Sequence, residues 1–291
     1  MMIFKKYLKS LPLIVAVGLC TTSQLFGERI VFDLGYVLFA PSKFAISRHL
    51  GWGSCARYFL REQHKFEDLR HVFNQVLQHV PTSIPTFDVA GDEAGSCMSG
   101  IMCEQQAGIK TSQEALDEIA ATINHLDHEN FFSSACERTL IERITKTVFD
   151  PVIFSQVMFP IKQGVELVKL LAAEKDADGT PRHELMILSN FSDEAFQLLY
   201  KKYPEIFKYF KPENIFISSR FKCFAGLKPS PLLYQHVMAK TGATAHEIVF
   251  LDDQDRNCKG AQACGWTAIQ VKNGNFKAVK QELKARKLIT K

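Results

Sequence analysis

Asp33, Asp252 and Asp253 are the side chains whose type and placement could do chemistry. Each closes a short apolar run: Ile30-Val-Phe32 stops at Asp33, and Ile248-Val-Phe-Leu251 stops at the Asp252-Asp253 pair. Such a run reads as a buried strand. An acid at its end stands at the rim of a sheet, where the ligands of open α/β sheets bind. Two adjacent carboxylates there repel each other unless a cation is shared with them. Hard oxygen donors of this kind suit Mg²⁺, and a further carboxylate beside the ion is a candidate nucleophile.

Two other segments offer complementary groups. Ser189 and Asn190 follow the apolar run Met186-Ile-Leu188 and precede a helical pattern. A hydroxyl and backbone N–H groups at that junction can hold phosphoryl oxygens. Lys228 lies in the turn-rich Gly226-Leu-Lys-Pro-Ser-Pro231, where one fixed ammonium can neutralise both a carboxylate and a phosphate. Taken singly, each residue has a plainer reading. Asp33 could cap a turn, Ser189 could cap a helix, and Lys228 could be a solvated surface lysine.

These residues need a scaffold that brings strand ends together. Strands are expected at Ile30–Phe32, Glu184–Leu188, Asn214–Ser218, Ile248–Leu251 and Thr267–Val271, with amphipathic helices between them. Strand alternating with helix predicts an α/β, doubly wound, Rossmann-like parallel sheet with right-handed crossovers. Ser192 or Asn190 is expected to cap the helix through Leu199, and Gly242 to close the helix over Pro231–Lys240. Residues 42–155 have a different texture, with helical patterns over Arg57–Val80 and a capping box, Thr111-Ser-Gln-Glu114, opening another helix. Residues 81–109 are rich in Gly, Ser and Pro and read as a long loop. The division is therefore a core of 28–41 and 156–291, with an all-helical insertion at 42–155.

In this order, Phe32-Asp-Leu-Gly-Tyr-Val-Leu38, Leu188-Ser-Asn190, Gly226-Leu-Lys-Pro229 and Phe250-Leu-Asp-Asp253 with Asn257 resemble the haloacid-dehalogenase-like (HAD) hydrolase superfamily. They look most like the branch of sugar-1-phosphate phosphatases and epoxide-hydrolase phosphatase domains, whose helical (C1-type) cap follows the first strand. The resemblance implies that Asp33 forms an aspartyl-phosphate. It implies that Asp33, the Gly35 carbonyl and Asp253 bind Mg²⁺, with Asp252 supporting that metal shell. Ser189 and Asn190 would hold the transferring phosphoryl group, and Lys228 would keep Asp33 and the phosphate in register. The sequence departs from the pattern at Gly35, where most phosphatases of the superfamily carry a second Asp as general acid and base. Leaving groups of low pKa, such as an anomeric oxygen, need less protonation.

Composition narrows the partners. With 35 basic and 31 acidic residues the formal charge is +4, but Lys5, Lys6 and Lys9 account for three positives. The remainder, 32 against 31, gives no basis for nucleic-acid binding. Residues 1–27 pair that positive start with a short apolar run, Leu11–Cys20, and read as a signal peptide that exports the chain; an uncleaved segment would instead tether it to a membrane. Cys97 and Cys103 could pair, and Cys258 and Cys264 read as packing residues near the site. His125-Leu-Asp-His128 reads as a polar helix end, Asp176-Ala-Asp-Gly179 as a turn, and residues 272–291 as a packed terminal helix. The expected function is Mg²⁺-dependent hydrolysis of a small phosphorylated metabolite. Two rivals are an exported binding or effector protein that keeps the fold without turnover, motivated by Gly35, and a metal-free dehalogenase, against which the Asp252-Asp253 pair argues.

Overall fold

The computed structural model describes residues 28–83 and 99–290. Five parallel strands form the central sheet, in the spatial order Ile215–Ile217, Glu184–Ser189, Arg29–Phe32, Ile248–Asp252 and Thr267–Gln270. Arg29–Phe32 is central, with Ile30 opposite Leu185 on one side and Val249 on the other. The order reverses direction on either side of this strand, so the carboxyl ends of its neighbours diverge and leave a crevice there.

Alternation along the strands fills both faces. Ile30, Phe32, Ile187 and Leu251 pack below the helices Lys162–Ala173, Asp193–Lys202 and Phe276–Ala285. Val31, Met186, Leu188 and Phe250 pack against Leu233, Tyr234, Val237 and Trp266 on the other face. Burial on both sides explains why these strands read as unbroken apolar runs. The terminal helix is fixed by Phe276, Val279 and Leu283, all buried. Ser192 caps the Asp193–Lys202 helix by accepting from the Ala195 amide, and Gly242 ends Pro231–Thr241 at φ 63°.

The insertion is helical: Lys43–Leu50, Trp52–Ala56, Phe66–His79, Gly100–Gln106, Ser112–His128, Ala135–Phe149 and Pro151–Val157. Its own apolar centre includes Leu69, Phe73, Ile101, Ile119, Ile123, Leu140 and Phe149. Thr111 and Glu114 form the expected capping box. A short antiparallel ribbon, Phe39–Pro41 with Met158–Pro160, joins insertion to core.

Three expectations are corrected. The loop over 81–109 contains the helix Gly100–Gln106, held because Cys103 and Ala107 pack against Leu227 of the core. The ribbon strands escape a pattern reading because they are short and carry Pro41 and Pro160. The strand boundaries shift by a residue, to Arg29, Ser189, Ile215, Ile217, Asp252 and Gln270. His125 and His128 end an α-helix as expected. Asp176–Gly179 is a turn, with Gly179 at φ 84°. The signal-peptide reading of 1–27 and the pairing partner Cys97 lie outside the described residues.

Candidate active site

Asp33 directly follows the central strand, and its amide donates to Leu251 O at 2.9 Å, so the chain holds its sheet register up to the acid. The carboxylate is 6% exposed. Its Oδ1 accepts from the Leu34 amide at 2.7 Å and lies 2.9 Å from Lys228 Nζ. Its Oδ2 lies on the side of Gly35: a Cβ built there would meet this oxygen at 4.0 Å and nothing nearer. One oxygen is thus anchored and the other faces a glycine.

Lys228 is buried and bridges two acids, reaching Asp252 Oδ2 at 2.6 Å and Asp33 Oδ1 at 2.9 Å. Its ammonium also donates to Leu188 O at 3.2 Å. Burial alone would lower its pKa, but Asp252 and Asp33 outweigh that cost and raise it, so the lysine stays charged. The backbone that carries it is clamped by Asn190. Asn190 Oδ1 accepts from the Lys228 amide at 2.8 Å, and Asn190 Nδ2 donates to Lys228 O at 3.0 Å. Helix Asp255–Ala263 approaches this segment so closely that a Cβ on Gly260 would fall 2.7 Å from Pro229 Cβ and 2.9 Å from Pro229 O.

The adjacent acids have different jobs. Asp252 is wholly buried. It accepts from the Gln254 amide at 2.8 Å, from Asn257 Nδ2 at 3.0 and 3.1 Å, and from Lys228. Asp253 is part-buried and faces the cavity over the site. Burial, with Asp33 and Asp252 close by, pushes its carboxyl up to about 7. Burial is also the first cause that raises Asp33, to about 6, followed by Asp252 after the opposing pull of Lys228; the Ser189 hydroxyl also lowers it.

The donor set fits a divalent cation. Carboxylate oxygens of Asp33, Asp252 and Asp253 lie within 4.8 Å of one another, the one such cluster among the described residues. Lys228 offsets a single negative charge, leaving two that a dication would neutralise. Asn257 Nδ2 spends its hydrogens on both Asp252 oxygens, and its buried Oδ1 has no hydrogen-bond partner among the described residues.

The segment after Ser189 is set by the neighbouring strand. Ser218 Oγ accepts from the Phe191 amide at 3.0 Å and Ser219 Oγ from the Asp193 amide at 2.7 Å. The same Ser218 hydroxyl donates to Gln106 O of the insertion at 2.6 Å, tying the insertion to the segment after Ser189. Above Asp33 is a cavity of about 770 Å³ between core and cap, which Asp33, Gly35, Ser189, Asn190, Lys228 and Asp253 line from below. Tyr36 shares this wall at φ 52°, an unusual backbone for a bulky residue.

The structure brings Asp33, Ser189, Asn190, Lys228, Asp252 and Asp253 together, with Gly35 beside them, and turns the Asn190 amide onto the Lys228 main chain. The reciprocal Asn190–Lys228 clamp, the Leu34 amide and Asn257 as partner of Asp252 were not assigned from sequence. Only the position of Asn257 five residues beyond Asp252 signalled anything, since it returns to the strand end on the first turn of the following helix.

Comparison with known proteins bears on the fold. Residues 227–288, which carry Lys228, Asp252 and Asp253, match the HAD-hydrolase-like family model. The fold is similar to a HAD family enzyme of Bacteroides thetaiotaomicron, with 17% identity over 86% of this chain and 96% of that one and a TM-score of 0.51. It is also similar to a predicted HAD-like hydrolase of Porphyromonas gingivalis, with 16% identity over 89% and 98% and a TM-score of 0.50. An L-2-haloacid dehalogenase of Xanthobacter autotrophicus aligns more loosely, at 14% identity over 89% and 83% and a TM-score of 0.48. The Bacteroides enzyme has been crystallised with magnesium and inorganic phosphate.

Proposed function

We propose that this chain, which has the fold of the HAD-like hydrolases, is a Mg²⁺-dependent phosphomonoester hydrolase. The observation that carries the proposal is the asymmetric Asp33 carboxylate: Oδ1 is pinned by Lys228 and the Leu34 amide, while Oδ2 is turned to the open Gly35 side of the cavity. A nucleophile needs one oxygen held for aim and the other free to attack.

In this reading Asp33 Oδ2 bonds to phosphorus as the ester P–O bond breaks, giving an aspartyl-phosphate and an alkoxide that takes its proton from solvent to leave as the alcohol. Water then attacks phosphorus, releases inorganic phosphate and restores the carboxylate. Lys228 neutralises charge on Asp33 and on the adjacent phosphoryl oxygens, and the Ser189 hydroxyl with nearby amides holds those oxygens. Asp252 keeps Lys228 in place. Asp33 and Asp253 would hold Mg²⁺, which supplies positive charge to the phosphoryl group when bound. Such transfer depends mainly on positioning and charge neutralisation. The cap above the site suits a small phosphorylated substrate. Export rests on the sequence of residues 1–27 alone.

The test is hydrolysis of an aryl phosphate by purified protein with Mg²⁺ and with EDTA. Metal-dependent phosphate release supports the proposal. Chloride release from a haloacid in EDTA would assign dehalogenation instead. A second reading, a binding protein without turnover, is favoured by one feature, Gly35, which cannot move a proton. Tight phosphate-analogue binding with no hydrolysis across a broad panel would establish it.

A further inference from the structure

The cavity extends beyond the phosphoryl end, where apolar side chains such as Ile46, Met102 and Phe154 are interspersed with polar ones. Helix Phe66–His79 buries Leu69, Phe73 and Val76 in the cap. The 3.6-residue period therefore turns Glu67, Arg70, Asn74 and Gln78 to its other side, and all four line the cavity. Arg70, Asn74 and Gln78 engage no hydrogen bond or ion pair among the described residues. Ser99 lies in the same wall and is buried.

Charge adds a second requirement. At the phosphoryl end Asp33, Asp252 and Asp253 face Lys228 and the proposed dication. The other acidic and strongly basic side chains on the wall are Glu67, Arg70 and Arg256, an excess of one positive charge. Arg256 Nε donates to Gln254 Oε1 at 2.7 Å, which steadies the guanidinium and leaves its terminal nitrogens free among the described residues. Arginine forks of this kind match carboxylate and phosphate oxygens.

We infer that the substrate is a hydroxyl-bearing phosphomonoester with a second anionic group, a carboxylate or another phosphate, held by Arg70 of the cap and Arg256 of the core. Hydroxyls of its leaving group pair with Asn74 and Gln78. This rests on the hydrolase reading and specifies its substrate class.

The experiment compares kcat/KM with Mg²⁺ for an aryl phosphate, a neutral hexose phosphate, a hexose bisphosphate and a phosphorylated sugar acid. The bisphosphate, the sugar acid or both should exceed the neutral hexose phosphate by about 10-fold or more. In Arg70→Ala and in Arg256→Gln the ratio of the preferred substrate to the aryl phosphate should fall by about 10- to 100-fold, the scale of a lost charge-assisted fork. Whichever anion-bearing compound leads identifies the second anion. Equal rates for neutral and anion-bearing compounds, or an unchanged ratio in Arg70→Ala, overturn the inference while aryl-phosphate turnover still supports the hydrolase. If nothing is turned over, the hydrolase reading fails separately. Equilibrium binding of the same compounds to Asp33→Asn and to Asp33→Asn with Arg70→Ala then reads the same preference, and its absence overturns the inference.

Discussion

Lys228 Nζ lies 2.9 Å from Asp33 Oδ1, and the same nitrogen lies 2.6 Å from Asp252 Oδ2. One ammonium therefore holds two strand-end carboxylates that would otherwise be buried side by side. Lys228→Met should destabilise the protein by about 3–5 kcal/mol, the usual cost of leaving buried charge without its partner. It should also abolish turnover. Denaturant unfolding of wild type and variant checks the first effect, and aryl-phosphate hydrolysis checks the second. A Lys228→Met protein of unchanged stability would mean that Asp33 and Asp252 do not depend on this bridge.

The Asn190 clamp acts on backbone, so its loss should show in rate more than in folding. Asn190→Ala removes two hydrogen bonds to the Lys228 main chain, together worth about 1–3 kcal/mol. A steady-state comparison should show kcat reduced about 10-fold or more. Asn190→Asp keeps the acceptor for the Lys228 amide and should recover part of the stability.

Gly35 is the position where chemistry can be added. A Cβ there meets only Asp33 Oδ2, at 4.0 Å, and the residue does not need a left-handed backbone. Gly35→Asp should therefore fold. A general acid should raise hydrolysis of alkyl phosphates by about 10-fold or more, with a smaller gain for aryl phosphates, whose leaving groups need less protonation. Plotting log kcat/KM against leaving-group pKa for both proteins measures this, and the variant's slope should be shallower.

His183 makes stability depend on pH away from the site. It is 5% exposed, and Nε2 lies 2.7 Å from Leu288 O, close to the terminal helix. Burial is the main cause that lowers its pKa below the ordinary 6.5; Arg182 lowers it further, while the Leu288 carbonyl and Glu174 oppose. Above pH 6.5 neither the folded nor the unfolded chain protonates this residue, so it adds no pH dependence. As pH falls below 6.5 the unfolded chain takes up a proton that the folded one refuses, and stability drops. Wild type should therefore lose more stability than His183→Gln between pH 7 and pH 5, as read from denaturant midpoints. Parallel curves would contradict this.

How far the sequence reaches depends on the range of the contact. Strand ends were legible at Asp33 and Asp252-Asp253 because an apolar run that stops at an acid is a local signal. The caps at Thr111, Ser192 and Gly242 were local as well. The division of labour within Asp252-Asp253 was not legible, because it comes from Lys228 and Asn257 closing on Asp252 from other segments. Asn190 looked like a phosphate ligand or helix cap, and only the folded chain brings it onto the Lys228 backbone. The Gly100–Gln106 helix is short and set in a stretch rich in Gly, Ser and Pro, and its support comes from Leu227, far away in the chain. The polar face of Phe66–His79 carries no local signal of a site, because only the fold closes a cavity against it.

The most direct measurement is chemical. Wild-type protein is mixed with an aryl phosphate and Mg²⁺, quenched in acid within the first turnovers, digested and mapped by mass spectrometry. One phosphoryl group should be found on the peptide containing Asp33, and none in Asp33→Asn or in EDTA. Sustained phosphate release with no adduct at Asp33, or undiminished release by Asp33→Asn, would contradict the assignment of Asp33 as nucleophile.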